Sequence, residues 1–186
     1  MLTFLARAHH FSRMLAWLGG ALILGSALLV TVEVLLRKFF GTSIAGADEI
    51  SGYAFGVATS LGFAFALFER AHIRVDALFL LLPRFMRLFL NLFGLALLVG
   101  FAAIITWMAW QLVGDTLKHG SHSITPMRTP LAIPQIPWLA GWMIFVICGV
   151  LLFLGALFST LRGDGASADR LIGVKTLDEQ IEDETV

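Results

Sequence analysis

The chain has 186 residues, 58% of them hydrophobic, and a mean hydropathy of +0.86. A soluble domain of this length exposes too much surface to hide that apolar area in one core. A formal net charge of zero gives no electrostatic basis for a nucleic-acid partner, and a single cysteine, Cys148, excludes an internal disulfide and a cysteine-rich metal site.

The apolar residues fall into four blocks. A bilayer core of roughly 30 Å needs roughly 20 helical residues to cross it, and each block is long enough. Continuous apolar runs point to helices, since barrel strands alternate over about 10 residues. Residues 1–13 are a short basic lead-in carrying Arg7 and Arg13, and the first span follows over Met14–Leu36. That run is too long for a signal-peptide core and no cleavage-type motif closes it, so it reads as an uncleaved anchor. Glu33 lies near its far end, with Arg37 four residues on. This is the favourable order for a helix ion pair, and a structural pair is expected. A proton or ion relay is the alternative that any carboxylate inside a span raises.

Residues 37–49 form a tight loop with Gly41, Gly46 and the acidic pair Asp48-Glu49, and the uncharged second span covers Ile50–Phe68. Gly52, Gly56, Ser60 and Ala64 make one row of small residues; Ala54, Ala58, Gly62 and Ala66 make another. Positions two apart differ by roughly 200° around a helix, so the rows lie on opposite sides. Small residues let backbones approach closely in lipid, which predicts a helix wedged between two neighbours.

Residues 69–87 connect the second span to the third. Within them Val75–Leu82 is apolar but too short to cross, and is expected in the membrane interface. Pro83 suits a helix start. A third helix from there through the apolar block Leu88–Val113 would overrun the bilayer and require tilt. Asn91 and Gln111 are its strongly polar residues. Residues 114–136, with Pro126, Pro130 and Pro134, are expected as a stiff loop that avoids helix. Asp115 reads as a solvated boundary residue or a partner for Lys118. The fourth span is Pro137–Leu161, and residues 162–186 form a solvated acidic tail with Asp178, Glu179, Glu182, Asp183 and Glu184. The chain thus divides into a membrane domain, 1–161, and that tail.

Basic residues set the expected orientation. Arg7, Arg13, Arg70, Arg74, Arg84, Arg87, Arg162, Arg170 and Lys175 flank one side; Arg37, Lys38, Lys118 and Arg128 flank the other. Nine against four places both termini in the cytoplasm. The fold expected is an all-α membrane protein of four transmembrane helices, N-in and C-in, with a short interfacial segment between helices 2 and 3.

Side chains suited to chemistry are sparse. His9, His10, His72, His119 and His122 all fall in flanks or loops, whereas a four-helix haem protein needs axial histidines inside the bundle. His119-x-x-His122 has helical spacing but no neighbouring carboxylate or cysteine to complete a metal site. Trp107, Trp110, Trp138 and Trp142 suit an aromatic belt at the outer boundary. No nucleophile–base set is visible, so neither a catalytic site, a metal nor a cofactor is expected, and the chain reads as a supporting subunit rather than an enzyme.

The stretch Arg37–Asp76 carries a family likeness: Arg37-Lys38-Phe39-Phe40-Gly41-Thr42-Ser43, Asp48-Glu49-Ile50-Ser51-Gly52-Tyr53, Ser60-Leu61-Gly62, and Arg70-Ala71-His72-Ile73-Arg74-Val75-Asp76, then Pro83-Arg84 and Arg87. Over about residues 10–160 the chain resembles the DctQ-like small permease subunit of tripartite ATP-independent periplasmic (TRAP) transporters. Ile44-Ala45-Gly46-Ala47 departs from the family pattern, which commonly has an aromatic residue before the acidic pair. The resemblance implies a bacterial inner-membrane subunit that braces a large permease subunit. That partner takes up an organic acid with sodium, by an elevator-like motion, after a periplasmic substrate-binding protein captures it. It also implies structural or interface positions at Arg37 and Glu49 outside and at His72 and Asp76 inside, with membrane-boundary anchoring as the alternative; Glu33, Gly52, Gly56 and Gly62 join them as the pairing and packing positions read above from the residues themselves. A stand-alone four-span transporter, or the membrane anchor of an enzyme complex, is the competing expectation.

Overall fold

The computed structural model describes residues 2–70, 83–163 and 171–173. They form four helices: α1 (Leu2–Phe40), α2 (Ala47–Phe68), α3 (Arg84–His119) and α4 (Ala132–Leu161). All four are long and apolar enough to cross a bilayer. The protein is an all-α, four-span membrane protein.

The helices outrun the apolar blocks that announce them. Once a segment enters lipid every backbone N–H and C=O must be satisfied internally, so the helix continues until a residue that can leave it. For α1 nothing breaks the run from Leu2 onward, and the basic lead-in is part of the same helix; it ends at Gly41, whose φ is 63°. Pro83 stands just before α3, its C=O accepting the first bond from Arg87 N–H at 3.1 Å. Gly120, with φ 58°, closes α3 by donating its N–H to Thr116 C=O. At 36 residues α3 is about 54 Å long, longer than the bilayer core, as its sequence predicts.

The loop expected over 114–136 is shorter than the prolines suggest. Helix α4 begins at Ala132, with both Pro134 and Pro137 inside it. The first four N–H groups of a helix have no intrahelical partner, so Pro134 at the third position removes nothing. Pro137 removes one bond and is tolerated near the end.

The four helices do not close into a bundle. They stand in a row in which α1 packs along α2, α2 along α4, and α4 along α3, while α1 meets α4 at isolated points. Helix α2 is therefore wedged between two neighbours, and its two small-residue faces are the reason. The Ala58 face meets α1, where a Cβ on Gly19 would lie 2.9 Å from Ala58 O. The Ser60–Ala64 face meets α4, where a Cβ on Gly141 would lie 2.7 Å from the Ser60 carbonyl carbon. Along α1, Ser12, Gly19, Ser26 and Glu33 recur every seven residues; Ser12, Gly19 and Glu33 are buried. A seven-residue repeat keeps one seam facing a neighbour over many turns. On α4 the buried seam runs Gly141, Phe145, Cys148, Leu152 and Ala156, the three- and four-residue spacing of one helix face.

The main core joins Ala64 and Leu67 of α2, Leu95 and Ala102 of α3, and Phe145, Cys148, Leu152 and Ala156 of α4. Ile172, at 3% exposure, completes it. That part of the tail thus docks on the helices instead of standing in solvent. The acidic residues 178–184 and the segment Val75–Leu82 lie outside the described residues.

Candidate functional site

Two connections, 41–46 and 120–131, lie together at one end of the row, which we call the loop end. Each is fastened by one carboxylate. Glu33, 2% exposed near the end of α1, accepts from Arg37 Nη2 at 2.7 Å and Nε at 3.3 Å. The expected pair is present, and it is half of the arrangement. The same carboxylate accepts from Ser43 Oγ at 2.6 Å and from Ile44 N–H at 2.5 Å. A carboxylate is acceptor-only and takes several donors at once; here it turns the chain from α1 back toward α2. Arg37 stays largely exposed, at 61%, so its charge remains solvated.

Glu49 does the same for the other connection. It sits in the first turn of α2, where the helix dipole favours an anion. Its Oε1 accepts from Tyr53 Oη at 2.7 Å, one turn on, and its Oε2 accepts from Thr125 Oγ1. Thr125 in turn is 2.6 Å from Ser123 Oγ. The connection it holds is itself ordered: Ser123 N–H donates to Thr129 C=O at 2.9 Å and Leu131 N–H to Ser121 C=O at 3.0 Å. Arg128 N–H donates to Thr125 C=O at 3.0 Å, closing a four-residue turn with Arg128 at φ 49°. Met127 rests over Gly46, leaving no room there for a Cβ. The two connections therefore brace each other, and Gly46, at φ 89°, is suited to its place twice over.

At the opposite, tail end, His9 Nε2 lies 3.0 Å from Glu69 Oε1 while its ring stacks near Phe65 and meets Phe68 at a tilt. This ties the start of α1 to the end of α2. His72 and Asp76 lie outside the described residues.

The glycines singled out on α2 behave differently from their small neighbours. A Cβ on Gly52, Gly56 or Gly62 would meet nothing within 4 Å. Close approach inside the chain occurs instead at Gly19, Gly141 and Gly149. Gly52 and Gly56 border a recess of about 160 Å³ with Pro134, Gln135 and Trp138. On the α1 side a wider groove of about 590 Å³ is lined by Ser26, Val30, Asp48, Ser51 and Phe55.

Other expectations divide. Asp115 and Lys118 approach to 3.7 Å, both well exposed, a contact of little energetic weight. His119 and His122 turn their Nδ1 atoms to the backbone oxygens of Asp115 and Gly120, and the helix stops between them. They share no helical face. Trp107 and Trp110 are exposed, at 66% and 60%, as belt residues should be. Trp142 is a correction: it packs inward, 4.9 Å from the Phe63 ring and 6.2 Å from Phe145.

Ser43 and Ile44 stand in the stretch that carries the family likeness but with no role given to them, and Ser123 and Thr125 were not singled out at all. Ser43 lies only ten residues past Glu33, a faint signal; Thr125 stands 76 residues from Glu49, and nothing in one sequence links them.

Four spans and carboxylates engaged in holding connections define a multi-pass membrane protein built around packing. A family model described as the DctQ component of tripartite ATP-independent periplasmic transporters matches residues 26–164. The chain belongs to that family: it is a TRAP transporter small permease subunit, a multi-pass component of the inner membrane. The family is a transporter component rather than an enzyme family, and it works with a large permease subunit and a periplasmic binding protein. No curated protein and no solved structure matches the chain.

Proposed function

We propose that this chain is the stationary brace of a sodium-coupled transporter that imports an organic acid delivered by a periplasmic binding protein. On this reading both termini are cytoplasmic and the loop end faces the periplasm, as the basic residues favour. The carrying observation is where the titratable groups are and how they are engaged. Glu33, the buried carboxylate of α1, is satisfied by Arg37, Ser43 and Ile44. Among the described residues the buried polar side chains are Ser12, Glu33, Ser60, Asn91 and Thr116, and the helices stand in an open row. The described residues so arranged enclose no ion path and have the form of a frame.

Glu33, Arg37 and Glu49 act structurally on this reading, while Gly52, Gly56 and Gly62 receive the large subunit's helices. Helix association in lipid depends on small residues that admit close packing. Gly52 and Gly56 beside unfilled grooves, and Gly62 with open space at its Cβ position, supply that surface. His72 and Asp76 match family positions on the cytoplasmic side.

The test is co-purification and reconstitution. The tagged chain should bring down a much larger polytopic subunit. Uptake of an organic acid into proteoliposomes should need both subunits, a sodium gradient and the soluble binding protein. Transport by the purified chain alone would overturn the reading.

A further inference from the structure

We propose that Leu171–Gly173 is a detachable clasp. It fills the place that α2 leaves vacant beside α3 and α4, and it opens while the four spans stay folded. The clasp goes beyond the transport reading and does not depend on it.

The vacancy follows from unequal helix lengths. A Cβ on Gly149 of α4 would lie 2.6 Å from Val99 Cγ2 and 3.6 Å from Leu67 Cδ2, so α2, α3 and α4 converge at that level. Leu67 is one residue short of the end of α2. Helix α4 runs on for twelve residues beyond Gly149, about 18 Å, and α3 begins fifteen residues before Val99, about 22 Å away. Past that level α2 has no turns left to cover them.

Yet Leu152 and Ala156, three and seven residues further along α4, are 4% and 0% exposed. Helix α3 supplies one side of this cover through Leu92 and Leu95. Ala8 of α1 borders the cluster but carries a single methyl group. Among the described residues, that leaves the open side to the tail. Ile172 is buried in the same cluster, with half-buried Leu171 packed against it and Gly173 buried beside it.

The same geometry makes the clasp separable. The residues between Gly163 and Leu171 are Asp164, Gly165, Ala166, Ser167, Ala168, Asp169 and Arg170, so Leu171-Ile172 is the first pair of large apolar residues after α4. One isoleucine's burial is offset in large part by the freedom lost when its segment is ordered. The polar tie is long: Arg70 Nη1 donates to Gly173 C=O at 3.5 Å, at the outer limit of a hydrogen bond. A short segment held by few apolar contacts belongs to the part of a fold that opens locally. The four spans are held by their own seams and do not share its fate.

The experiment uses the full chain in lipid nanodiscs, with Cys148, its one native thiol, replaced by alanine. Ala156→Cys then reports the seat and Ile172→Cys the clasp, each by its rate with a small maleimide. Both thiols should react at least about tenfold more slowly than in the denatured chain. Adding Ile172→Asp should speed the seat thiol by about tenfold or more, and Ile172→Val should not. Ala156→Phe, which fills the seat from α4, should free the clasp thiol by a similar factor. Hydrogen exchange at the Ile44 amide, at the far end of the row, should stay as slow as in the parent throughout. A seat thiol equally shielded in the Ile172→Asp chain overturns the proposal. Ile44 exchange that quickens together with the seat thiol overturns it too, because the segment then opens only with the common core. A clasp thiol as reactive as in the denatured chain does the same, since nothing is then docked.

Discussion

Gly141→Ala is the sharpest probe of how α2 and α4 meet. The new methyl carbon would lie 2.7 Å from the Ser60 carbonyl carbon and 2.5 Å from Ser60 Oγ. Ordinary carbon contacts sit at about 3.5–4.0 Å, so the helices must part by about 0.8 Å or more. Turning Ser60 aside does not relieve this, because the backbone is struck as well. A gap of that size forfeits about a quarter to a half of each dispersion well along the seam, and lipid offers no hydrophobic drive to close it. Overpacking of this kind costs about 1–3 kcal/mol. Exchanging glycine for alanine inside a helix returns about 1 kcal/mol, leaving a net loss of up to about 2 kcal/mol, and the upper end applies because backbone is struck. Gly62→Ala, with nothing within 4 Å of its new Cβ, should keep the propensity gain and lose nothing. Cys148 supplies the readout: it is the one thiol and it is buried two turns along the same seam. A dye that fluoresces on reacting with thiols reports its exposure as the protein is heated in detergent. Gly141→Ala should unfold about 4 °C lower than the parent, and Gly62→Ala no lower. Equal melting for Gly141→Ala, or a greater loss for Gly62→Ala, would refute the assigned faces of α2.

Three further outcomes are expected. Glu33→Ala should speed hydrogen exchange at the Ile44 amide by on the order of tenfold, because that N–H loses its acceptor; Arg37→Ala should leave it much slower. Thr125→Val and Glu49→Ala should each accelerate exchange at the Ser123 amide, with the double variant little faster than either single one, since both break one linkage. Gly120→Ala should cost about 1 kcal/mol in thermal stability because Gly120 holds a left-handed backbone, while Gly120→Asn should retain most of it.

The spans were legible because lipid imposes one strong rule on composition. The small-residue rows of α2 were legible for the same reason, since 3.6-residue geometry converts spacing into faces. What sequence left hidden is which small residues meet inside the chain. Gly52, Gly56 and Gly62 look no different on paper from Gly19, Gly141 and Gly149, yet the last three carry the close approaches. A signal did exist on α1, where Ser12, Gly19, Ser26 and Glu33 repeat every seven residues. Local pairs could be read: Glu33–Arg37 is one helical turn. The long-range clasp could not, because Thr125 reaches Glu49 only through the row arrangement that seats α4 beside α2. Prolines misled at α4 because their cost depends on position, and the first turn of a helix has no bonds for them to break.

The row itself ties these observations to the proposed role. A closed bundle would hide small residues on inner faces and leave large ones for lipid. In an open row, each inner helix has two faces used within the chain and two faces left over. On α2 the left-over surface carries Gly52 and the grooves beside it. The edge helices α1 and α3 bury few residues. A protein that had to enclose a path for an ion would gain from closing that row. One that has to lie along a larger partner gains from keeping it open, with its loop end fixed by carboxylates so that the contact surface does not shift. On the proposed role Glu33 and Glu49 serve transport through the shape they hold, and their loss should weaken assembly before it alters substrate choice.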